Sequence, residues 1–363
     1  MRAKLGDVCQ KGTSNIAQKD LEGHSGNYPI FGASGFISNV DFYQQEKPYI
    51  AVVKDGAGIG RVMKLPAKSS VIGTMQYIIP NDTVDISFLA YAMKYMNLSK
   101  YFTGATIPHI YFKDYQKEEL NLPSLDVQRK IAVVLDKVSD LIAKRRQQLD
   151  KLDELVKARF VEMFGDPVSN PYHWHLKRLL QLGDCKNGMN FHSTDVGINI
   201  HCLGVGDFKN LSRISDASKL PTVSLTDMPS DEYLLKDGDI VFVRSNGNKA
   251  LVGRSLAVYP ATIPTTFSGF CIRFRLHSYE VKVDYLLRVL KNDSIRKKMA
   301  GRGANIQNLN QKILGELQIP VPPLDLQNQF TTFVEQTEKI KTTISRSLEK
   351  LETLKKALMQ EYF

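Results

Sequence analysis

Leu125-Asp126-Val127-Gln128 returns later in the chain as Leu324-Asp325-Leu326-Gln327, an offset of 199 from residue 125 to residue 324. The same offset continues downstream without a gap, and it pairs identical residues. These pairs are Leu149 with Leu348, Lys151 with Lys350, Leu152 with Leu351, Leu155 with Leu354, Ala158 with Ala357, Glu162 with Glu361 and Phe164 with Phe363. Because chance does not sustain such a register, the chain is built from an internal repeat.

The repeat also extends upstream of this segment. Residues 104–110 match residues 303–309 at the same offset, so the end of each globular unit belongs to the repeat. Near the starts of the units, Leu5-Gly6-Asp7 resembles Leu182-Gly183-Asp184, an offset of 177 from residue 5 to residue 182. In between, Gly60-Arg61 resembles Gly253-Arg254. The second unit is therefore expected to hold an insertion of about 22 residues in its interior.

Each repeated tail carries apolar residues at alternating intervals of three and four, which is the pattern of a coiled-coil seam. The predicted seam residues are Ile131, Leu135, Val138, Ile142, Leu149, Leu152 and Val156 in the first tail, and Phe330, Val334, Ile344, Leu348, Leu351 and Leu358 in the second. A proline precedes each tail, at Pro123 and Pro322, and Gly165 is expected to end the first helix after Phe164. The sequence therefore predicts two long helices.

A bare helix of about 38 residues, roughly 57 Å long, needs a partner along its length. The other copy is the most economical partner, and antiparallel pairing would place the two globular units at opposite ends with approximate two-fold symmetry. The alternative is two separate helices, each folded onto its own domain. The predicted fold class is α+β, with two mixed α/β domains separated by two long helices that form an antiparallel coiled coil.

The globular units themselves show both strand and helix patterns. The runs Pro48–Lys54 and Asp239–Arg244 predict buried strands that lead into polar turns. A helix is predicted later in each unit, from Ser87 to Asn97 and from Val283 to Met299.

The length, charge, apolar content and cysteine spacing of the chain narrow the class of protein. A length of 363 residues is too great for one ordinary core, and a net charge of +10 with a pI near 9.2 favours a polyanionic partner such as nucleic acid.

No run approaches the roughly 18 to 20 apolar residues of a membrane span, so a cytoplasmic protein without membrane contact is expected. Four cysteines without CxxC spacing, Cys9, Cys185, Cys202 and Cys271, are expected to be reduced and mostly buried.

Matched places in the two units carry side chains that can reach base edges. Arginine and lysine suit guanine, whereas asparagine and glutamine suit adenine. The predicted DNA-binding residues are Lys54, Arg61, Arg244, Asn246, Asn248, Lys249, Arg254, Lys298, Arg302, Asn305, Gln307 and Asn308. The basic run from Arg288 to Arg302 fits either a helix that faces phosphate or a solvated helix face.

The repeat and its short motifs resemble the specificity subunit of type I restriction-modification systems over essentially the whole chain. The motifs are the helix starts at Leu122–Gln128 and Pro322–Gln327, the Gly-Ala-x-Ile segments at 104–107 and 303–306, and the Lys-Leu-x-x-Leu segments at 151–155 and 350–354. The resemblance implies a first target-recognition domain at 1–122, a first conserved helix at 123–165, a second recognition domain at 166–321 and a second conserved helix at 322–363.

The resemblance also implies a function. Each recognition domain would read one half of a bipartite, asymmetric site in double-stranded DNA. The helices would set the spacer between the halves and dock two methylation subunits, and restriction subunits can then join. The resemblance brings no catalytic residue, so the chain is expected to be a DNA-binding subunit and not an enzyme by itself.

Two functions of other classes stay open: a DNA-modifying enzyme with its own catalytic half, and a coiled-coil scaffold with no role on DNA. Asn170-Pro171-Tyr172 lacks the second proline of an adenine methyltransferase motif, and residues 56–60 miss the glycine spacing of a nucleotide loop. His173, His175, Cys185, His192, His201 and Cys202 fit no common zinc spacing. No cofactor and no metal are expected.

Overall fold

The computed structural model of the chain describes residues 1–56, 58–104, 108–191, 196–208, 212–300 and 308–363. The chain divides into two compact units. Unit 1 contains Met1–Gln147 and Ile344–Phe363, and unit 2 contains Gln148–Thr343. Among the helices of the described residues, none is long and apolar enough to cross a membrane.

Unit 1 combines short strands with helices. Its strands are β1 (Arg2–Lys4), β2 (Cys9–Thr13), β3 (Tyr28–Gly32), β4 (Gly35–Val40), β5 (Tyr49–Val53), β6 (Val62–Leu65), β7 (Ser70–Val71), β8 (Met75–Pro80) and β9 (Glu119–Asn121). Its helices are α1 (Leu5–Val8), α2 (Ile86–Tyr95), α3 (Phe112–Tyr115) and the first part of α4 (Leu125–Phe164).

Unit 2 contains the corresponding elements. Its strands are β10 (His175–Arg178), β11 (Gly183–Asn187), β12 (Ile198–Leu203), β13 (Arg213–Ile214), β14 (Thr222–Leu225), β15 (Asp239–Val243), β16 (Ser255–Val258), β17 (Thr265–Phe267), β18 (Cys271–Leu276) and β19 (Gln318–Val321). Its helices are α5 (Leu179–Leu182), α6 (Val283–Lys291), α7 (Asp293–Ala300) and α8 (Gln311–Gly315), together with the second part of α4 and the first part of α9 (Leu324–Tyr362), whose last part belongs to unit 1.

The strand order of unit 1 recurs in unit 2. The order β2-β8-β5-β6 corresponds to β11-β18-β15-β16, the order β4-β3-β7 corresponds to β14-β12-β17, and the pair β1-β9 corresponds to β10-β19. The directions agree as well, because β3 is parallel to β7 and β12 is parallel to β17. The predicted mixed α+β fold with an internal repeat is therefore confirmed.

Most of the predicted insertion lies between β12 and β14 of unit 2. Residues 33 and 34 join β3 to β4, whereas residues 204–221 join β12 to β14. This longer connection supplies β13, which pairs in parallel with β16 and extends the sheet at that edge. The two units therefore share a framework, and this connection is one of the places where they differ.

The central strands β5 and β15 anchor the two cores. Every residue of both strands is buried, as the two apolar runs predict. The one carboxylate among them, Asp239, is 1% exposed and accepts from the Nε and one NH2 group of Arg275, each at 2.8 Å. This two-point pairing offsets the cost of burying the charge.

The helices α4 and α9 pair in antiparallel fashion within each unit. In unit 1 a guanidinium nitrogen of Arg146 lies 2.7 Å from a carboxylate oxygen of Glu352, and the Phe363 ring packs 5.1 Å from the ring of Phe88. In unit 2 Lys341 Nζ lies 2.9 Å from Asp153 Oδ1, and the ring of Phe330 is 5.6 Å from that of Phe160. The predicted antiparallel helix pair is therefore present.

The predicted seam residues lie on the covered side of these helices. Each of them is buried or half-buried, with Leu135 and Phe330 fully buried. Thr337 interrupts the apolar seam of α9 and is also buried, with its hydroxyl donating to the Phe333 carbonyl at 2.8 Å. That local hydrogen bond satisfies the hydroxyl, so the polar residue is tolerated.

The predicted continuous helix from Val283 to Met299 is wrong at one point. The chain leaves the helical conformation at Asn292, where ψ is 137°, and a second helix begins at Asp293. The Asn292 side chain accepts from the backbone N–H of Ser294 at 2.8 Å and so caps the new helix. The break turns the two halves of the basic run in different directions.

Candidate nucleic-acid interface

The turn after the central strand is built in the same way in both units. In unit 1 the Val53 carbonyl accepts from the Gly60 N–H at 2.9 Å, and the Val53 N–H donates to the Arg61 carbonyl at 3.0 Å. In unit 2 Val243 makes the same two bonds with Gly253 and Arg254, at 2.9 Å each. The predicted match of Gly60-Arg61 with Gly253-Arg254 is therefore confirmed by the backbone.

Glycine is required at the matched turn position. Gly60 has φ +78° and Gly253 has φ +76°, in the region that side chains with a Cβ rarely adopt. A Cβ on Gly60 would also lie 2.5 Å from the backbone nitrogen of Ser99, and one on Gly253 would contact Met299. The segment after α2 in unit 1 and helix α7 in unit 2 therefore close on the same turn.

A second repeated segment crosses this turn. The Ile110 N–H donates to the Lys54 carbonyl at 3.0 Å, and the Leu309 N–H donates to the Arg244 carbonyl at 2.8 Å. One residue along, Asp55 forms a bridge with His109, and Ser245 forms the corresponding bridge with Asn308. The offset of 199 thus pairs residues that occupy the same place in the two units.

A third chain segment, the turn before β8 in unit 1 and before β18 in unit 2, also bonds to the residue after the central strand. The Lys54 N–H donates to the Thr74 carbonyl at 3.0 Å, and the Arg244 N–H donates to the Phe270 carbonyl at 2.8 Å. Three chain segments therefore meet around Lys54 and again around Arg244. We call these two places the unit 1 loop site (Lys54–Arg61 with His109) and the unit 2 loop site (Arg244–Arg254 with Asn308).

The side chains of the unit 1 loop site are partly held by the protein. Lys54 Nζ lies 3.8 Å from Asp55 Oδ2, and the other oxygen of Asp55 is hydrogen-bonded to His109 Nδ1. Arg61 is exposed, and one of its NH2 groups donates to the Ala33 carbonyl at 2.6 Å. Both predicted residues of this unit, Lys54 and Arg61, therefore reach its surface with further donors available.

The predicted residues of the unit 2 loop site also come together. Arg244 is half-buried, and one of its NH2 groups donates to the Gly269 carbonyl at 3.3 Å. Asn246 accepts from the Asn248 N–H at 2.8 Å, and Asn248 in turn accepts from the Ala250 N–H at 3.0 Å. These local bonds use the amide oxygens to shape the turn, so the amide nitrogens are the atoms that can meet a partner. Asn308 is exposed and Arg254 is half-buried.

The basic run of unit 2 does not form one phosphate-facing surface. Arg288 and Lys291 lie on α6 beside Asp284 in a small cavity, and burial lowers the pKa of Lys291 to about 8. Arg296 of α7 donates to the Ala250 and Val252 carbonyls at 3.2 and 3.5 Å, so it supports the unit 2 loop site from behind. Lys298, beside Lys297, is exposed.

Part of the predicted set lies outside the described residues. Arg302, Asn305 and Gln307 belong to the undescribed stretch 301–307, and the side chain of Lys249 is also outside the description.

Sequence reasoning missed Asp55, His109 and Ser245 as members of the loop sites. The offset of 199 was a usable signal, because it aligns His109 with Asn308, which was predicted to bind DNA. Asp55 and Ser245 begin the predicted polar turns, and no local pattern shows that each pairs with a segment more than fifty residues away.

Burial limits the reactivity of the four cysteines. Burial raises the pKa of Cys9, Cys185, Cys202 and Cys271 to about 12, so these thiols stay protonated and are poor nucleophiles. Three of them are buried and all four are free thiols, as predicted. Within the described parts of the chain, no group of three His, Cys, Asp or Glu side chains is placed to hold a metal ion.

Comparison with known proteins also finds one domain type twice along the chain. The family model described as the type I restriction modification DNA specificity domain matches residues 1–154 and again residues 174–355. The chain belongs to this family. The two matches of this specificity domain correspond to the two copies of the framework and its helices.

Relatives of the specificity family cover nearly the whole chain. The MjaVIII specificity subunit of Methanocaldococcus jannaschii is 23% identical over 98% of this chain and 90% of its own length. The StySPI specificity subunit of Salmonella potsdam is 24% identical over 85% of this chain and 72% of its own length. Among solved structures, the S subunit of a type I restriction-modification system from M. genitalium matches with a TM-score of 0.66 at 18% identity, over 100% of this chain and 96% of that one. The fold of the specificity family is therefore the fold of this chain.

Proposed function

We propose that this chain is the non-catalytic DNA-specificity subunit of a type I restriction-modification complex. In this proposal residues 1–122 and 166–321 are recognition domains, each of which reads one half of a bipartite site in double-stranded DNA. The helices at 123–165 and 322–363 set the spacer between the half-sites. The chain would act in the cytoplasm, because the DNA it would read lies there.

One observation carries the proposal: the same backbone framework closes twice around different side chains. Lys54, Asp55 and His109 in unit 1 stand where Arg244, Ser245 and Asn308 stand in unit 2. A framework kept by backbone hydrogen bonds leaves its side chains able to vary, as sequence readout requires. Because the paired side chains differ, we expect the two half-sites to differ in sequence.

The long helices support the docking of two equivalent protein partners. Four leucine and isoleucine side chains at matched positions of α4 and α9 are exposed by 45 to 51%: Leu141 with Ile340, and Leu155 with Leu354. Exposed apolar positions that recur in both repeats fit two copies of one partner. We therefore propose that two methylation subunits bind there and that restriction subunits join the resulting complex.

A single set of measurements separates this proposal from its rivals. The full chain should shift duplex DNA in a mobility assay at low salt and lose affinity as salt rises, whereas a coiled-coil scaffold would shift nothing. The isolated chain should transfer no methyl group, and methylation should require added methylation subunits. Methyl transfer by the chain alone would favour the enzyme alternative. Sequencing of methylated adenines in the source genome should reveal a bipartite, non-palindromic site.

A further inference from the structure

Asp55 joins two side chains of the unit 1 loop site that lie far apart in sequence. One of its oxygens is bonded to His109 Nδ1, and the other is 3.8 Å from Lys54 Nζ. The side chains of Lys54, Asp55 and His109 are 24, 27 and 26% exposed, so each is sheltered by the protein and still reachable. A functional role for these three side chains rests on the proposed reading of DNA by this chain.

The backbone and a neighbouring ring hold His109 in place. Its N–H and carbonyl exchange hydrogen bonds with Thr103, at 2.9 and 2.8 Å, and the neighbouring Pro108 carbonyl accepts from the Gly56 N–H at 3.0 Å. The imidazole packs against the ring of Tyr111 with centroids 4.1 Å apart. An organised side chain loses little entropy when it meets a ligand.

On this geometry, and resting on the proposed function, we infer that Asp55 positions His109 and Lys54 as the base-reading edge of the first half-site. A carboxylate only accepts hydrogen bonds, so His109 Nδ1 carries the hydrogen that Asp55 accepts. In the neutral ring, Nε2 on the opposite side is then an acceptor. Lys54 Nζ is a donor only.

An acceptor beside a donor is the complement of adenine in the major groove. Adenine presents the N6 amine, which donates, next to N7, which accepts, whereas guanine presents two acceptors. His109 Nε2 matches the N6 amine and Lys54 Nζ matches N7. We therefore assign an adenine to the first half-site at the position that this pair contacts.

Unit 2 differs at the same place. Ser245 and Asn308 form the bridge that Asp55 and His109 form in unit 1. A serine cannot fix the tautomer of a partner ring, and an asparagine needs no such help, because its amide carries a donor and an acceptor of its own. The positioning carboxylate is therefore specific to unit 1.

Selection from random-sequence DNA tests the inference with the full chain and its methylation subunits. Wild type should enrich a bipartite site with an adenine in the first half. Asp55→Ala and His109→Ala should each reduce the preference for that adenine about tenfold, and the double variant should lose less than the product of the two losses, because Asp55 acts in part through His109. The second half-site should be unchanged.

The matched control is another Asp–His pair of the same unit. Asp41 Oδ1 lies 2.7 Å from His24 Nδ1 at the surface, so Asp41→Ala removes the same chemistry elsewhere and should leave both half-sites intact. His109→Asn, which copies the residue of unit 2, provides a second test if an alanine variant does not fold. The melting temperature of each variant shows whether it is folded, so that a changed base preference can be distinguished from a loss of folding.

The outcomes distinguish this inference from the proposed function. If wild type enriches no sequence at all, both are overturned. If wild type enriches a bipartite site whose first half is the same in the Asp55 and His109 variants, only the inference is overturned. Enrichment of guanine at the affected position would overturn the assignment of adenine.

Discussion

Gln128 accepts a hydrogen bond from the backbone N–H of Asp85, with 2.8 Å between its Oε1 and that nitrogen. Its Nε2 donates to the Thr83 and Pro123 carbonyls at 3.2 and 2.9 Å. In unit 2 Gln327 bonds in the same way to Lys282, Glu280 and Pro322, at 2.8, 2.9 and 2.8 Å. The glutamine of the repeated Leu-Asp-x-Gln motif thus ties the start of each long helix to the domain it follows.

Replacement of Gln128 by leucine should therefore destabilise unit 1. The side chain is 1% exposed, so the change removes three sheltered hydrogen bonds and leaves the N–H of Asp85 and the carbonyls of Thr83 and Pro123 without this partner. We expect a loss of about 1 to 3 kcal/mol in the free energy of unfolding, measured by urea denaturation. The exposed Gln147 of the same helix provides the control, since Gln147→Leu should have little effect. Equal losses for both variants would contradict the role given to Gln128.

Two leucines of α4 should respond differently to aspartate. Leu152 lies on the seam and is half-buried, so Leu152→Asp should lower the free energy of unfolding of unit 2 by roughly 2 kcal/mol or more. Leu155 is 49% exposed, so Leu155→Asp should keep the melting temperature and weaken the binding of methylation subunits. Calorimetry and co-purification measure the two effects. Normal co-purification of Leu155→Asp, with Leu354→Asp added, would argue against docking on this face.

Arg244 should determine one half-site only. Arg244 is half-buried in the unit 2 loop site, and only one of its guanidinium nitrogens is seen to donate to Gly269, so Arg244→Ala should cost about 1 to 3 kcal/mol of discrimination at one base pair of the second half-site. The first half-site should keep its preferences. Lys219→Ala, at a side chain that is 82% exposed, controls for the lost charge. Selection from random DNA measures the base preferences of both half-sites in one experiment. An affinity that falls equally for all sequences would indicate that Arg244 contacts phosphate instead.

Lys291 should make the stability of unit 2 depend on pH in the alkaline range. Burial lowers the pKa of Lys291 from 10.5 to about 8, so the folded protein loses this proton before the unfolded chain does. Between about pH 8 and 10.5 the unfolded state binds more protons, and the contribution of Lys291 to stability therefore rises with pH. We expect Lys291→Met to be more stable than wild type at pH 7, and the difference to shrink toward pH 10.5. A constant difference across this range would show that Lys291 titrates normally.

Matched insertions in the two long helices should lengthen the spacer of the DNA site. Arg146 contacts Glu352, so seven residues inserted between Arg145 and Arg146, together with seven between Glu352 and Thr353, keep the seam in register. Seven helical residues add about 10.5 Å, close to three base pairs of duplex. Methylation mapping should show the longer spacer with unchanged half-sites. An unchanged spacer would refute the proposal that the helices set the distance between the half-sites.

The repeat and its periodicity predicted most of the framework. Seam positions, the buried strands β5 and β15 and the end of α4 at Gly165 all follow from local patterns that tertiary contacts do not override. Gly165 has φ +74°, as a glycine after a helix often does. The position of the insertion was predicted only as interior, since offsets show a length difference and not the strand that it forms.

The features that sequence could not predict depend on contacts between distant residues. The break at Asn292 follows from a side chain that caps a new helix, in a run whose apolar spacing is compatible with one continuous helix. Arg288 and Lys291 were grouped with Lys298 because charge runs do not show which residues turn inward. The bond between Asp55 and His109 depends on a strand pairing that no local pattern shows.

The packing of Phe363 against Phe88 has a consequence for the order of synthesis. Unit 2 is one continuous stretch of chain, so it can fold while later residues are still being made. Unit 1 begins at Met1 and yet takes part of its core from the last residues of α9. The first segment of unit 1 is thus made before unit 2, but it cannot complete its core until the segment from Ile344 onward has also been made.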